Sequence, residues 1–280
     1  MNNIILVDSS YTSFHRFFAT LRWFSFSKKE EYKEHKDNPK YDWSKNKIFL
    51  EKYEKMYVES IKKLVTPTVF NNSIIIFCLD APQESLWRND LMECYKGERV
   101  DLSKKHNFKP TFKYTYSKII PELVKNNSNI FMIKYAKMEA DDIIALCTRY
   151  IRKKHTNKTI YLVSGDNDFL QLGYENLYFA DYKKKELKKL SREEAKEALE
   201  QKIINGDCSD NIPNIFPKNE KISNKLRKEI RENKEKREEY FKTNKRAYKQ
   251  YKKNKQLISF KYIPKEYQTP IYLKIKKILV

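Results

Sequence analysis

Nine acidic residues occupy positions where carboxylates can do chemistry. Asp8 closes the apolar run NIILVD and Asp80 closes SIIIFCLD. Glu139, Asp141 and Asp142 crowd into Glu139-Ala140-Asp141-Asp142 after a third apolar run, and Asp166 and Asp168 follow a fourth in Ser164-Gly165-Asp166-Asn167-Asp168. Asp207 and Asp210 belong to Gly206-Asp207-Cys208-Ser209-Asp210-Asn211. One acid at a strand end commonly caps the next helix. Nine that converge on one edge repel one another and need a counter-charge to stay ionised. An all-oxygen set without His or Cys suits a hard divalent cation, magnesium or manganese. His15, His35, His106 and His155 are scattered without ligand spacing and read as structural or surface residues.

The elements that must position these acids are legible as short, β-branched apolar runs at 3–8, 73–80, 130–135, 159–165 and 177–180, the pattern of strands covered on both faces. Helical periodicity is expected at 11–24, 46–65, 115–126 and 139–154, with irregular chain at 25–45. Strands alternating with helices predict an α/β fold with a mostly parallel central sheet and flanking helices. Ligands of such sheets gather at the carboxyl ends of the strands, where the acids lie. After residue 190 only helices are expected, at 191–204, 220–239 and 240–256. The reading is an α/β core over 1–185 and a basic helical region over 186–280. Gly165 and Gly206, two of only four glycines, directly precede motif aspartates, where a bare backbone permits a tight turn or close approach.

The charge points to a polyanion. Lys and Arg number 58 against 37 Asp and Glu, a net +21. Residues 183–280 carry +15 of this. Within 240–255 there are seven basic residues and no acid. Lys242, Lys245, Arg246, Lys249 and Lys252 form one stripe if the segment is a single helix, suited to tracking phosphates; Phe241, Tyr248 and Tyr251 form a second. Without the nine acids the remaining chain sums to +30, an acidic centre in a basic protein. That arrangement suits two metals at a phosphodiester held by lysines. No run approaches 18 apolar residues, the N-terminus has no signal-peptide pattern, and the four cysteines form no C-x-x-C. The expectation is a soluble, cytoplasmic protein of a reducing compartment, without membrane partners.

V-D-S-S, C-L-D-A-P, E-A-D-D, S-G-D-N-D-F and G-D-C-S-D-N-I-P, in this order, resemble the 5′ nuclease family, which includes the flap endonucleases and the 5′-nuclease domain of bacterial DNA polymerase I. The likeness covers about 1–215. Trp87-Arg88-Asn89-Asp90, Tyr95-Lys96-Gly97-Glu98-Arg99 and Leu257-Ile258-Ser259-Phe260-Lys261-Tyr262-Ile263-Pro264 look like the phage ribonuclease H branch of that family. The resemblance implies a PIN-like 5′ nuclease fold with two magnesium ions, for which manganese can substitute. Asp8, Asp80, Glu139, Asp141 and Asp166 match one metal site; Asp168, Asp207 and Asp210 match the other, with Asp142 close by. Residues 84–112 match an arch or gateway for a 5′ end. Arg88, Lys96 and Arg99 match basic residues near the scissile phosphate, Tyr95 a base-stacking position, and Arg16 an arginine near the active site. Lys96, Arg99 and Asp166 are thus expected to be catalytic.

The resemblance implies a monomeric 5′-3′ exonuclease and flap endonuclease acting on DNA and RNA–DNA hybrid with 5′ ends or flaps. Removal of RNA primers in replication, alongside a single-strand DNA-binding protein and a sliding clamp, would follow, although the first strand begins too early to leave an N-terminal clamp peptide. One departure is that no glycine follows Gly206, where cellular members carry a Gly-rich helix–turn–helix. Duplex binding is therefore expected to rest on C-terminal lysines and to depend strongly on salt. Three alternatives stand beside this reading. A toxin-like ribonuclease would usually be shorter and lack the G-D-x-x-D-N-I-P run. An aspartyl-phosphate phosphatase needs Asp-x-Asp where Asp8-Ser9-Ser10 stands. A non-catalytic branched-DNA binder would lose carboxylates that are all present.

Overall fold

Ile4, Ile5, Leu6 and Val7 are fully buried, as in a strand with helices on both faces. A computed structural model describes residues 1–98, 106–216 and 222–279. In chain order the first half contains β1 (Asn3–Asp8), α1 (Ser9–Ser27), α2 (Lys29–His35), α3 (Lys47–Val65), α4 (Pro67–Asn71) and β2 (Ser73–Leu79). Then come α5 (Lys109–Tyr114), α6 (Ile120–Asn126), β3 (Ile130–Lys134), α7 (Ala140–Lys154), β4 (Thr159–Val163), β5 (Leu177–Asp181) and β6 (Glu186–Lys188). The chain ends in α8 (Arg192–Asn205), α9 (Asn224–Glu232), α10 (Lys234–Thr243), α11 (Lys245–Ile258) and α12 (Lys265–Leu279). No described helix is long and apolar enough to cross a membrane.

The six strands run in the order β3-β2-β1-β4-β5-β6. All neighbours are parallel except β5 and β6. The strand order reverses between β1 and β4, the switch point at which a crevice opens beyond the carboxyl ends; Asp8 ends β1 there and Ser164-Gly165-Asp166 follows β4. Alternation along the strands splits the core. Ile4, Leu6, Ile76 and Cys78 face a cluster with α7 and α12, while Ile5, Val7, Ile75 and Phe77 face one with α1 and α3.

The five expected strands are present. The short β6 was not anticipated, because its residues Glu186, Leu187 and Lys188 are all exposed and carry no apolar signature. α2 likewise occupies part of the stretch expected to be irregular, with no buried residue. The expected helix at 220–239 breaks at Asn233, and that at 240–256 breaks at Asn244; each asparagine leaves helical geometry and caps the next helix, accepting from Lys236 and Ala247 N–H respectively. Lys242 therefore sits on α10, and the other four basic residues of the expected single stripe sit on α11.

The expected division at 185 does not split the molecule. β6 extends the sheet past it, and Ile271 and Ile275 of α12 are fully buried in the same cluster as Ile4 and Leu6. The C-terminal region leaves the core at α8 and returns to it at α12.

Candidate active site

Asp8 begins the site because it ends the central strand and caps α1. One of its oxygens accepts from the Tyr11 backbone at 3.0 Å and the other from Ser164 Oγ at 2.9 Å. Asp80, on the neighbouring strand, accepts from the Ala140 N–H at 2.7 Å, which ties it to the first turn of α7. Ser10 Oγ donates to its other oxygen, leaving the Tyr116 hydroxyl to donate into Ser10 at 2.8 Å. Gly165 beside them leaves room for the Tyr11 hydroxyl and the Asp181 carboxylate, which a Cβ there would displace. Gly206 adopts φ +69°, and a Cβ would run into the backbone of Ile212 and Pro213. That close return sets Asp207 opposite Ile212 and turns the Asp207–Asp210 loop toward the site.

Electrostatics separates the acids into two sets. Burial, then Asp80, raises Asp8 to about 7. Asp80 is also raised, by burial first and Glu139 in part. Asp141 is pushed well up by burial and by Asp166 and Asp8. Asp166 is raised chiefly by burial, with Lys202 and Lys96 opposing. These carboxylates lack enough internal positive charge to remain ionised together. Asp168, Asp207 and Asp210 form the second set, with carboxylate oxygens all within 4.8 Å of one another. Lys202 of α8 pairs with Asp168 and lies 2.8 Å from Asp207. Burial pushes Asp207 up, but hydrogen bonds from Lys202 and Ser209 outweigh it and hold the carboxyl below its ordinary value. Lys202 was not anticipated from the sequence. The signal available was a single lysine in the last turn of the helix leading into Gly206-Asp207.

Glu139 joins the sets. Burial alone would raise it, but Lys96 and Arg88 hold it at about 2. Lys96 Nζ pairs with Glu139 and lies 3.9 Å from Asp210, so it sits among the acids. Arg99 lies outside the described residues.

Three of the expected site residues are buried and engaged within the protein. Asp142 is fully buried and its carboxylate is engaged away from the cluster: Arg88 donates to both oxygens at 2.9 and 2.7 Å, and Trp87 Nε1 donates at 2.8 Å. It is the partner that fixes Arg88. Arg88, 3 % exposed, also donates to Glu139 at 2.7 Å and to the Leu257 carbonyl at 2.8 Å. Tyr95 is 5 % exposed: its ring packs with Ile203, Ile212 and Leu257, and its hydroxyl lies 3.0 Å from Glu139 and 3.1 Å from Asp210. Within 87–95 the buried side chains of Trp87, Arg88, Met92 and Tyr95 form a strut between the acids and α11.

Arg16 lies on α1, half-buried, with Nε lacking a hydrogen bond among the described residues. Lys242 and Lys245 line a cavity of about 860 Å³ together with Phe241, Tyr248 and Tyr251. The Phe241 ring lies 5.4 Å from that of Tyr248 and 5.0 Å from that of Tyr251, centroid to centroid. Arg246, Lys249 and Lys252 lie on α11, and Lys252 covers the Tyr248 ring at 4.5 Å.

Residues 3–201 match the family described as 5′-3′ exonuclease, N-terminal resolvase-like domain. The chain is similar to the ribonuclease H of Enterobacteria phage T4, 28% identical over 176 residues, which is 61% of this chain and 56% of the phage protein. The match therefore spans little more than half of that relative. Among solved structures, the T5 D15 protein co-crystallised with metal ions superposes with a TM-score of 0.64 at 18% identity, over 99% of both chains. The bacteriophage T5 D15 flap endonuclease, in a pseudo-enzyme-product complex with DNA and metal ions, gives 0.62 at 17% identity, over 99% of this chain and 98% of that one. At these identities the likeness is one of fold.

Proposed function

The chain belongs to the 5′-3′ exonuclease family, and from that premise we propose that it is a divalent-metal-dependent 5′ nuclease. Its substrates are RNA–DNA and DNA duplex ends and 5′ flaps, and its task is primer removal during DNA replication. The observation that carries this reading is the convergence of eight carboxylates at the switch point of the sheet, four of them with raised pKa values. A donor set of oxygen alone, short of internal counter-charge, fits a hard divalent cation such as magnesium. Asp8, Asp80, Glu139, Asp141 and Asp166 would hold one ion, and Asp168, Asp207 and Asp210 a second.

Bound there, such ions lower the pKa of a water and stabilise charge on the leaving oxygen. The protein's own contribution is orientation. Ser164 and Tyr11 fix Asp8, Ser10 and Ala140 fix Asp80, and Arg88 fixes Glu139. Lys96 is the cation within the cluster that a scissile phosphate would meet, and it offsets charge as the phosphate reacts. Lys242, Lys245, Arg246, Lys249 and Lys252 supply a basic face for the duplex backbone. Other proteins of phage replication, such as a single-strand binding protein, are partners only on the strength of the phage likeness.

Incubation of a 5′-labelled flap and an RNA–DNA hybrid with magnesium should release short 5′ products, and a chelator should stop it. No metal-dependent product from either would favour a binding protein without catalysis.

A further inference from the structure

The basic character of this protein is not confined to the helices that follow the catalytic edge. Where the second half of α7 meets α8 and the 259–261 turn, a cavity of about 540 Å³ is lined by Thr148, Arg152, Lys153, Tyr174, Arg192 and Lys261, among others. Neither Asp nor Glu lines it among the described residues. Arg152 lies eleven residues beyond Asp141 on the same helix, or ~16 Å along its axis at ~1.5 Å per residue. The cavity is separate from the carboxylates.

Three features distinguish it from a solvated basic surface. The Arg152 guanidinium, half-buried, lies over the Tyr174 ring at 4.2 Å, and Arg192 approaches the same ring at 5.6 Å. Arg192 is partnered by Glu175 at 3.1 Å. Arg152 has no ion pair or hydrogen bond among the described residues, and burial, then Arg192, pushes its pKa below the ordinary value. Thr148 is fully buried, and its hydroxyl oxygen has no hydrogen-bond partner among the described residues. Glu175 offsets Arg192 and acts on Arg152 at longer range, but Arg152 has no direct carboxylate partner, and with an orphaned hydroxyl in the same cavity an acceptor-bearing ligand is favoured. Arg149 is spoken for, donating to the Phe260 carbonyl at 2.8 Å, and it braces the wall instead of serving the interior.

We propose that this cavity binds phosphate groups, with Arg152 as the principal ligand, Thr148 as a hydrogen-bonding partner and Lys153, Arg192 and Lys261 at the rim. Planar guanidinium donors suit phosphate oxygens. The volume accepts more than one phosphate group. The phosphates come either from a nucleic-acid backbone beyond the cleavage site or from a free polyphosphate or nucleotide.

The test uses the full chain with divalent metal chelated, so that it reads binding independently of cleavage. Pyrophosphate titrated by calorimetry should bind saturably, and Arg152→Gln should weaken it about tenfold, as expected for loss of a charge-assisted contact. Thr148→Val should weaken it about threefold without lowering the thermal midpoint of the unliganded protein, because the hydroxyl has no internal partner to lose. Arg192→Gln, at an exposed position, provides a variant safe for folding, and Lys63→Gln, exposed on α3, serves as a basic control outside the cavity. In a parallel arm, affinity for a blunt duplex is followed against salt. A slope shallower by about one in Arg152→Gln identifies the backbone as the source. An unchanged slope with weakened pyrophosphate binding identifies a free polyphosphate. Overturning results are pyrophosphate affinities that agree within twofold across wild type and the Arg152, Thr148 and Arg192 variants, or absent saturable binding, in either case with an unchanged duplex slope.

Discussion

The two carboxylate sets have the same donor chemistry and opposite electrostatics. Asp8, Asp80 and Asp141 stand on β1, after β2 and on the first turn of α7, where the strand ends leave them buried together; their pKa values are driven up. Asp168 and Asp207 stand on turns that Lys202 straddles, and Asp207 is driven down. The rigid sheet therefore concentrates charge without neutralising it, whereas the peripheral set carries its own cation. On the proposed reading, an ion would let the first set ionise fully, and an ion in the second would take the place of Lys202. Glu139 and Lys96 couple the two, because Lys96 reaches both Glu139 and Asp210.

The largest test of that contrast is catalytic. Asp166→Asn should lower cleavage of a flap substrate by at least ~10⁴-fold, equivalent to ~5.5 kcal/mol, while duplex affinity stays within about threefold. Asp207→Asn, in the set that already holds a lysine, should cost about 10²-fold. Single-turnover cleavage and a binding assay in chelator separate the two effects. Near wild-type cleavage by Asp166→Asn would falsify the assignment of the first set.

The next effect concerns what holds each set in place. Arg88→Met removes one partner of a fully buried ion pair and leaves Asp142 uncompensated, which should cost about 3–5 kcal/mol of stability. Lys202→Met removes a partly exposed lysine whose partners repel each other once it is gone, and should cost no more than ~1 kcal/mol. Urea denaturation in the absence of metal reads both. The reverse order would show that the peripheral set, and not the strut at 87–95, anchors the site.

This difference also marks how far the sequence could be read. Strand ends and acids were legible because short apolar runs define β1 to β5 locally and Asp8, Asp80 and Asp166 follow from them. Helix breaks at Asn233 and Asn244 carried a local signal, an asparagine able to cap, that the lysine periodicity obscured. The burial of Arg88 and Tyr95 had no such signal. It depends on Ile203, Leu257 and Ile258, more than a hundred residues away, arriving over a loop that reads as charged and aromatic. Lys202 became visible only once α8 brought it between two acids distant in sequence from one another. A residue's contacts across such separations are set by packing, which periodicity does not encode.

The remaining effect is a pH dependence, and it discriminates the sets by sign. With metal chelated, folded Asp8 retains its proton up to about pH 7, whereas an unfolded aspartate loses it near 3.8. Between those values the folded state binds more protons, so this group makes stability fall as pH rises. Asp207, with a lowered pKa, acts oppositely: its contribution is present above the unfolded value and is lost as pH falls below it. His15, held at about 4 by burial and Arg16, removes stability below pH 6.5 and would blur a wild-type curve. The quantity to follow is therefore the difference between each variant and wild type, in which His15 cancels. Asp8→Asn should exceed wild type by about 4 kcal/mol at pH 7.5 in chelator, a gap that narrows as pH falls and closes near pH 4. Asp207→Asn should show no such gain. Saturating magnesium should abolish or invert the Asp8→Asn advantage, because the ion supplies the charge whose absence raised the pKa. An Asp8→Asn variant no more stable than wild type at pH 7.5 in chelator would mean that the sheet edge neutralises its carboxylates internally after all.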